Sequence, residues 1–440
     1  MNGRYFEFLR GLVFILCAVF CALGQTLTLE QCERKALEQN FSLNASRYER
    51  NAVKWRKYST VGTILPTVTL NTNWLQTQTP QISPGQQPSP GQAPSTGATF
   101  TQDGFHHQLT VTQPIFNGGG EVVSYLLAAS NLAASDFKLD AACQDAILQV
   151  RNAYFNTLLL SEQIKIDSMG LEWTRRNLHQ ARIRHEEGVL PPAELLRWKA
   201  EVADRRGRVI DSYASYQASL GQLLLTVGEP LELSSAVQLE DASFLEELFE
   251  KTSELPQGTS EDNPEIKAAK EELNSLNQTT FLRLTRFLPN INTFAQYDWP
   301  VQDELFAREE GFWTYGIRVN WTLFSGAKRF SDYYASKNQY LQLESQMRQL
   351  SEQNRISVFQ ARTLYLASRE RVNSARTRLE LMERSLSMME QRYEAGLVSM
   401  SDLLDTRIQT DSAHIAYLRS LTEAVIQESE YRAAVGLLGD

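Results

Sequence analysis

The residues best able to hold a metal or a reacting group are few and badly spaced for it. Five histidines, His106, His107, His179, His185 and His414, show no metal-ligand spacing, and His185-Glu186-Glu187 lacks the second histidine of a zinc-binding helix. Gly118-Gly119-Gly120 follows an alternating segment and opens a helical one, as a phosphate loop would, yet no Lys-Ser/Thr comes after it. It reads as a sharp turn from strand to helix. The acidic residues Asp402 and Asp405 are three apart and share one helix face. Taken alone, carboxylates near a helix start favour the dipole and need no further role. These groups point to no cofactor and no metal, and the expectation is that the chain is not an enzyme.

The cysteines add little chemistry. Residues 1–24 read as a secretory signal: Arg4 and Arg10 precede the apolar run Leu12 to Leu23, and Ala22-Leu23-Gly24 offers small residues before Gln25. The run is short for a membrane anchor. Leu16 before Cys17 and Phe20 before Cys21 make both poor lipidation sites, so two cysteines remain after cleavage, Cys32 and Cys143. Both sit in helical patterns where a small apolar residue would serve, and are expected as buried structural thiols. Losing two arginines and one glutamate with the signal takes the net charge from -9 to -10, which argues against nucleic acid as a partner. With 42% hydrophobic and 22% charged residues the chain is too apolar for disorder.

What positions everything else is an internal repeat. The stretch Phe116 to Gly228 recurs without a gap as Phe324 to Gly436, pairing Gly118 with Gly326, Arg184 with Arg392, Gly188 with Gly396 and Leu195 with Leu403. From Gly118 to Leu190, and from Gly326 to Val398, there is no proline, so each copy can run as one helix. Residues 119–187 would extend roughly 100 Å at the helical rise. Gly188-Val189-Leu190-Pro191-Pro192 breaks that helix and starts an antiparallel partner over 191–228, of roughly 57 Å. Roughly 33 Å of the remainder is matched by a helix over 42–63. The second half has the same parts at 265–287, 326–395 and 401–438. Val150, Ala153, Leu158, Ile164 and Leu171 are spaced for coiled-coil packing.

Between the upstream helix and the long one the period changes to two. Val68, Leu70, Thr72 and Trp74 alternate with polar residues, and so do Phe105, His107, Leu109 and Val111 on the return. The second half repeats the pair with Ile291, Thr293, Ala295, Tyr297 and Trp299, then Trp313, Tyr315, Ile317, Val319 and Trp321. Four strands are expected, at 66–74, 105–116, 289–299 and 312–324. The Pro/Gly-rich segment from Pro80 to Gly97 reads as a surface loop. Trp and Tyr near the strand ends suit an aromatic belt at a membrane boundary. Lipid tolerates no open sheet edge, so strands this few must be pooled with further copies of the chain, and the sequence alone does not choose between two and three. Residues 229–262 read as a linker with a short helix at Phe244 to Lys251, and Thr28-Leu29-Glu30-Gln31 as a capping box.

These features together resemble the TolC-type outer-membrane efflux proteins over essentially the whole mature chain. The resemblance rests on the doubled order of helix, two strands, long helix and short helix. It rests also on the turns Gln113-Pro114-Ile115-Phe116-Asn117-Gly118 and Trp321-Thr322-Leu323-Phe324-Ser325-Gly326, and on the tips Arg184-His185-Glu186-Glu187-Gly188-Val189 and Arg392-Tyr393-Glu394-Ala395-Gly396-Leu397. It implies a mostly α fold with a membrane β-barrel portion. A signal at 1–24 would precede two repeats, 25–228 and 263–440, joined by 229–262, and a homotrimer would close a 12-stranded barrel above a long coiled-coil tunnel. It implies a passive exit duct in the outer membrane, working with a periplasmic adaptor and an inner-membrane transporter in an efflux pump or a type I secretion system. Adaptor docking would fall on Arg184, Gly188, Val189, Arg392, Gly396 and Leu397. The gate would use Asp402 and Asp405 as acidic rings, latched by Tyr393 and Glu194. Here Glu194 stands where Asp is usual, and no arginine follows Gly396. An exported coiled-coil protein without a channel is the alternative, and it leaves the aromatic-ended strand pairs unexplained.

Overall fold

In a computed structural model the described residues are 25–80, 99–232, 237–251, 256, 258–301 and 311–438. The signal, most of the Pro/Gly-rich loop and parts of the 229–262 linker fall outside them. The order is β1 (Gln25–Leu27), α1 (Leu29–Gln39), α2 (Phe41–Gly62), β2 (Thr67–Pro80), β3 (Thr99–Asn117), α3 (Gly120–Glu186), α4 (Pro192–Val227), β4 (Val237–Leu239) and α5 (Phe244–Lys251). After a short 3-10 turn come α6 (Pro264–Thr285), β5 (Asn290–Val301), β6 (Phe312–Asn320), α7 (Lys328–Glu394) and α8 (Met400–Ala434). The repeat shows at once in α3 and α7, each of 67 residues.

Two units divide the chain. One takes residues 1–50, 135–269 and 347–440, the other 51–134 and 270–346. The first is helical around a core of Val150, Tyr154, Phe155, Leu158, Leu220, Leu224, Val372 and Leu421. Its N-terminal segment is tied in by a pairing that the alternation of residue types did not announce: β1 lies parallel to β4, Gln25 opposite Val237 and Leu27 opposite Leu239. Thr28 caps α1 through a complete capping box with Gln31. Cys32 is fully buried, whereas Cys143 is only half-buried, which corrects the expectation for the second thiol.

The ends of α4 and α8 explain why Gly228 and Gly436 pair across the repeat. Both have left-handed φ, 88° and 76°. A Cβ on either would stand 2.5 Å from a carbonyl oxygen, Gln39 O in one case and Asp262 O in the other. Beside each glycine an asparagine fastens two helices. The Asn40 side-chain amide donates to Thr226 O at 2.7 Å and its Oδ1 accepts from Leu43 N; Asn263 Nδ2 donates to Ala434 O at 3.2 Å and its Oδ1 accepts from Glu265 N.

The second unit carries one antiparallel sheet in the order β2-β3-β5-β6. Its register places Val68 opposite Val111, Leu70 opposite Leu109, Leu109 opposite Tyr297 and Tyr297 opposite Trp313. The alternating apolar sets of all four strands therefore lie on one face. On β6 that face is open, with Tyr315 81% exposed and Trp313, Ile317 and Val319 exposed beside it. The outer strands β2 and β6 pair on one side only. Strand bounds differ from those expected: β2 continues to Pro80, β3 begins at Thr99, β5 reaches Val301 and β6 stops at Asn320. Gln76-Thr77-Gln78-Thr79 is polar on both sides, so pairing continued where the apolar alternation had faded.

Candidate gate and docking tips

The two helical tips are built alike, and the reason is hydrogen bonding at a helix end. A helix leaves its last carbonyls unpaired, and a left-handed residue just past the end lets the chain fold back to satisfy them. At the α3 tip Gly188, with φ 78°, donates to His185 O at 3.0 Å, and Val189 donates to Arg184 O at 2.9 Å. At the α7 tip Gly396, with φ 73°, donates to Tyr393 O at 3.0 Å, and Leu397 donates to Arg392 O at 2.9 Å. Arg-x-x-x-Gly thus spells out a Schellman closure, the arginine supplying the accepting carbonyl and the glycine the left-handed step. No other group lies within 4 Å of where a Cβ would stand on either glycine. The turn pushes its next residue outward: Val189 is 72% exposed and Leu397 74%.

Behind the tips lies a small aromatic core in which Trp173, Ala181, Trp198, Leu386, Met400 and Leu403 are buried. Tyr393 packs at its edge and joins the two hairpins. Its hydroxyl donates to Glu194 Oε1 at 3.3 Å and accepts from Trp198 Nε1 at 3.3 Å, while the Arg184 guanidinium sits 5.9 Å from its ring centre. Burial raises the Tyr393 phenol above its ordinary value, and the neighbouring Glu194 charge acts in the same direction. Arg184, Glu194 and Tyr393 therefore meet in one place. Trp198, which holds Tyr393 from the far side, was not among the expected residues. Its signal was faint: a single tryptophan one turn after Glu194, with Thr406 at the matching point of the second repeat.

Asp402 and Asp405 lie exposed on the first turns of α8. Asp402 also has a local task, since its carboxylate accepts from Ser399 N at 3.3 Å and from Ser399 Oγ at 2.7 Å while Ser399 Oγ accepts from Asp402 N. This capping box fixes the carboxylate at the start of the helix. Further along, a buried ionic cluster went unread in the sequence. Arg205 is buried, donating to Glu201 Oε1 at 2.9 Å and Asp411 Oδ2 at 3.0 Å, and Arg407 reaches Asp411 Oδ1 at 3.0 Å. The guanidinium has room because residue 170 is glycine: a Cβ there would meet Arg205 Nη1 at 2.7 Å. The clue was Gly170 itself, a helix-weakening residue in the middle of a long helix.

Both repeats match a known family. The family model for outer membrane efflux proteins matches residues 34–229 and 255–437. The chain belongs to this family. Among solved structures it is similar to the outer membrane protein VceC of Vibrio cholerae, at 17% identity and a TM-score of 0.72, covering 93% of this chain and 96% of that one. It is similar also to the CmeC outer membrane channel of Campylobacter jejuni, at 15% identity and a TM-score of 0.75, covering 93% and 85%. A third is the open-state MtrE outer membrane channel of Neisseria gonorrhoeae, at 18% identity and a TM-score of 0.72, covering 94% and 90%. These likenesses are ones of fold. No curated relative matches the chain. As an outer membrane efflux protein it places its sheet in the outer membrane and its helices in the periplasm. Among the described residues no helix is long and apolar enough to cross a membrane.

Proposed function

We propose that three copies of this efflux protein join edge to edge into a 12-stranded barrel that continues as a helical tunnel. The duct conducts its cargo passively, receiving it from a periplasmic adaptor and an inner-membrane transporter of a tripartite efflux or type I secretion system. The observation that carries the reading is the four-stranded sheet whose apolar residues share one face and whose outer strands each keep one edge free. Lipid leaves no partner for such edges except another sheet edge. The tips dock the adaptor through Gly188 and Gly396, with Arg184 and Arg392 anchoring the turns and Val189 and Leu397 supplying exposed apolar contact.

At the periplasmic end the gate is made by Asp402 and Asp405, replicated around the axis as acidic rings, with Tyr393 and Glu194 latching the hairpins together. Carboxylates crowded around a narrow opening bind cations and impede their passage. Substituting Asp402→Asn with Asp405→Asn removes the charge and leaves an acceptor for Ser399. In a planar lipid bilayer at fixed salt the double variant is expected to conduct more than the parent and to lose block by divalent cations. Unchanged conductance together with unchanged block rejects the gate, while absence of any conductance from the parent protein rejects the duct.

A further inference from the structure

The sheet of the second unit also has a polar face. Asn71 lies opposite Gln108, Gln108 opposite Asp298, Asn292 opposite Arg318 and Phe294 opposite Gly316, all on the side away from Val68, Tyr297 and Trp313. Arg318 is the only lysine or arginine in β2, β3, β5 and β6. We propose that Arg318, present once in each copy, forms a cationic ring that favours anionic over cationic cargo where the barrel meets the tunnel. The inference rests on the duct reading, in which the apolar face meets lipid and the polar face lines the pore.

Placement is the first argument. Arg318 stands two residues before Asn320, the end of β6, and next to that end the Trp321 indole donates to Phe287 O at 3.1 Å. This is the end at which the helices join the sheet, and so the periplasmic end. The Arg318 side chain is exposed, with its guanidinium 4.6 Å from the centre of the Phe294 ring. That ring lies across Gly316, 3.5 Å from where a Cβ would stand. A guanidinium stacked on an aromatic face is braced without losing its charge.

Charge is the second argument. Arg318 pairs with Asn292, and the one carboxylate on this face of the sheet among the described residues, Asp298, lies further along β5, roughly 20 Å away at the strand rise. Its oxygens are already occupied, accepting from Gln108 Nε2 at 3.0 Å and Gln296 Nε2 at 2.6 Å. β2, the strand a neighbouring copy would lay beside β6, holds no Asp or Glu, so closing the ring brings no strand carboxylate to Arg318. Below Asn290 and Asn320 a recess of about 280 Å³ continues the same sign, with Arg286, Lys328 and Arg329 set against the single carboxylate Asp332. Like charges lining a low-dielectric wall focus their field into the water they enclose, and rings of arginine or lysine select anions in pores.

The repeat supplies a control. In the first half Thr110 stands at the place of Arg318, Asn71 at that of Phe294 and Gln108 at that of Gly316, and Asn71 pairs with Gln108 as Phe294 pairs with Gly316. Gly120 and Glu121 likewise stand at the places of Lys328 and Arg329. The hairpin and its turn therefore form without the cations, the ring or the glycine, which leaves the set free to serve the pore.

The test is the reversal potential of the full-length protein in a planar bilayer under a potassium chloride gradient at low salt, where screening reaches far. It is run in the parent and in the Asp402→Asn, Asp405→Asn background, so that carboxylates at the tips do not mask the barrel. In that background Arg318→Gln is expected to lower the chloride-to-potassium permeability ratio by roughly threefold, the scale of three unit charges acting through water. Arg318→Lys should keep the ratio and Arg318→Glu should lower it further. An unchanged ratio in both Arg318→Gln and Arg318→Glu, with conductance intact, overturns the assignment and leaves the duct standing. No conductance from the parent overturns the duct itself, and the assignment with it. Heat-resistant oligomers report assembly; should Arg318→Gln lose them, Arg318→Thr, the residue of the first repeat, takes its place. Loss of oligomers in both would mean that Arg318 serves assembly, which also overturns the assignment.

Discussion

At the scale of single residues the most informative is Tyr393, because it ties two hairpins through one hydroxyl. Tyr393→Phe leaves the ring packed but strands Glu194 and Trp198, and a single hydrogen bond of this kind contributes about 1 kcal/mol. Thermal stability should hardly move while closed-state conductance rises. The sign with pH follows from the raised phenol. Folding favours its protonated form, so the contribution is whole below the ordinary tyrosine value of 10.0 and is lost as pH rises through the folded value. Conductance should stay flat to that point and climb above it, and Tyr393→Phe should abolish the climb. The two thiols offer a second check. Burial pushes Cys32 up to about 12 and raises Cys143 as well, but Cys143 is half-buried. A thiol reagent at pH 8 should modify Cys143 in the folded protein and Cys32 only after unfolding; equal rates would contradict the packing of α1. The resemblance named Tyr393 and Glu194 as latch residues and Arg184 as a docking residue, and the structure brings the three side chains together. Trp198 and Arg205 were not legible, since neither has an equivalent in the other repeat, and Tyr393 and Asp411, which they reach, lie far off in sequence.

At the scale of elements, glycines of one type do two kinds of work. Gly188 and Gly396 need only the left-handed backbone, while Gly228 and Gly436 need that and the missing Cβ. Alanine at either tip should cost about 1–2 kcal/mol, the ordinary penalty for a left-handed L-residue. Alanine at Gly228 or Gly436 adds a collision with backbone carbonyl and should destabilise by clearly more. Denaturant melts of the four variants check the ranking, and equal losses at tips and joints would refute it. Helix lengths were readable to within two or three residues because absence of proline and the placement of glycine are local properties. Strand ends were not, because β2 continues through a Gln-Thr stretch that has no apolar side. The β1 and β4 pairing was hidden for another reason: strands of three residues carry too short an alternation to detect, and only their partner gives them meaning.

At the scale of the whole molecule the doubling of the chain was the clearest message in the sequence, and the number of copies the least. Repeats leave identical spacing behind, whereas association leaves only unpaired edges. Those edges have a genetic consequence. In the proposed ring of three, joined edge to edge, every member must both give and receive a strand, so the ring is only as sound as its worst member. A chain with Ile317→Pro and Arg318→Pro in β6 still offers β2 but cannot receive a neighbour, since proline removes the donor a ladder requires. Co-expressed with the parent, it should poison assembly, and intact rings should fall with the cube of the fraction of sound copies rather than in proportion. The yield of heat-resistant oligomers titrated against the ratio of the two genes would show the curve. A straight line would mean that each chain works for itself; a steep one would make this locus dominant in the negative sense.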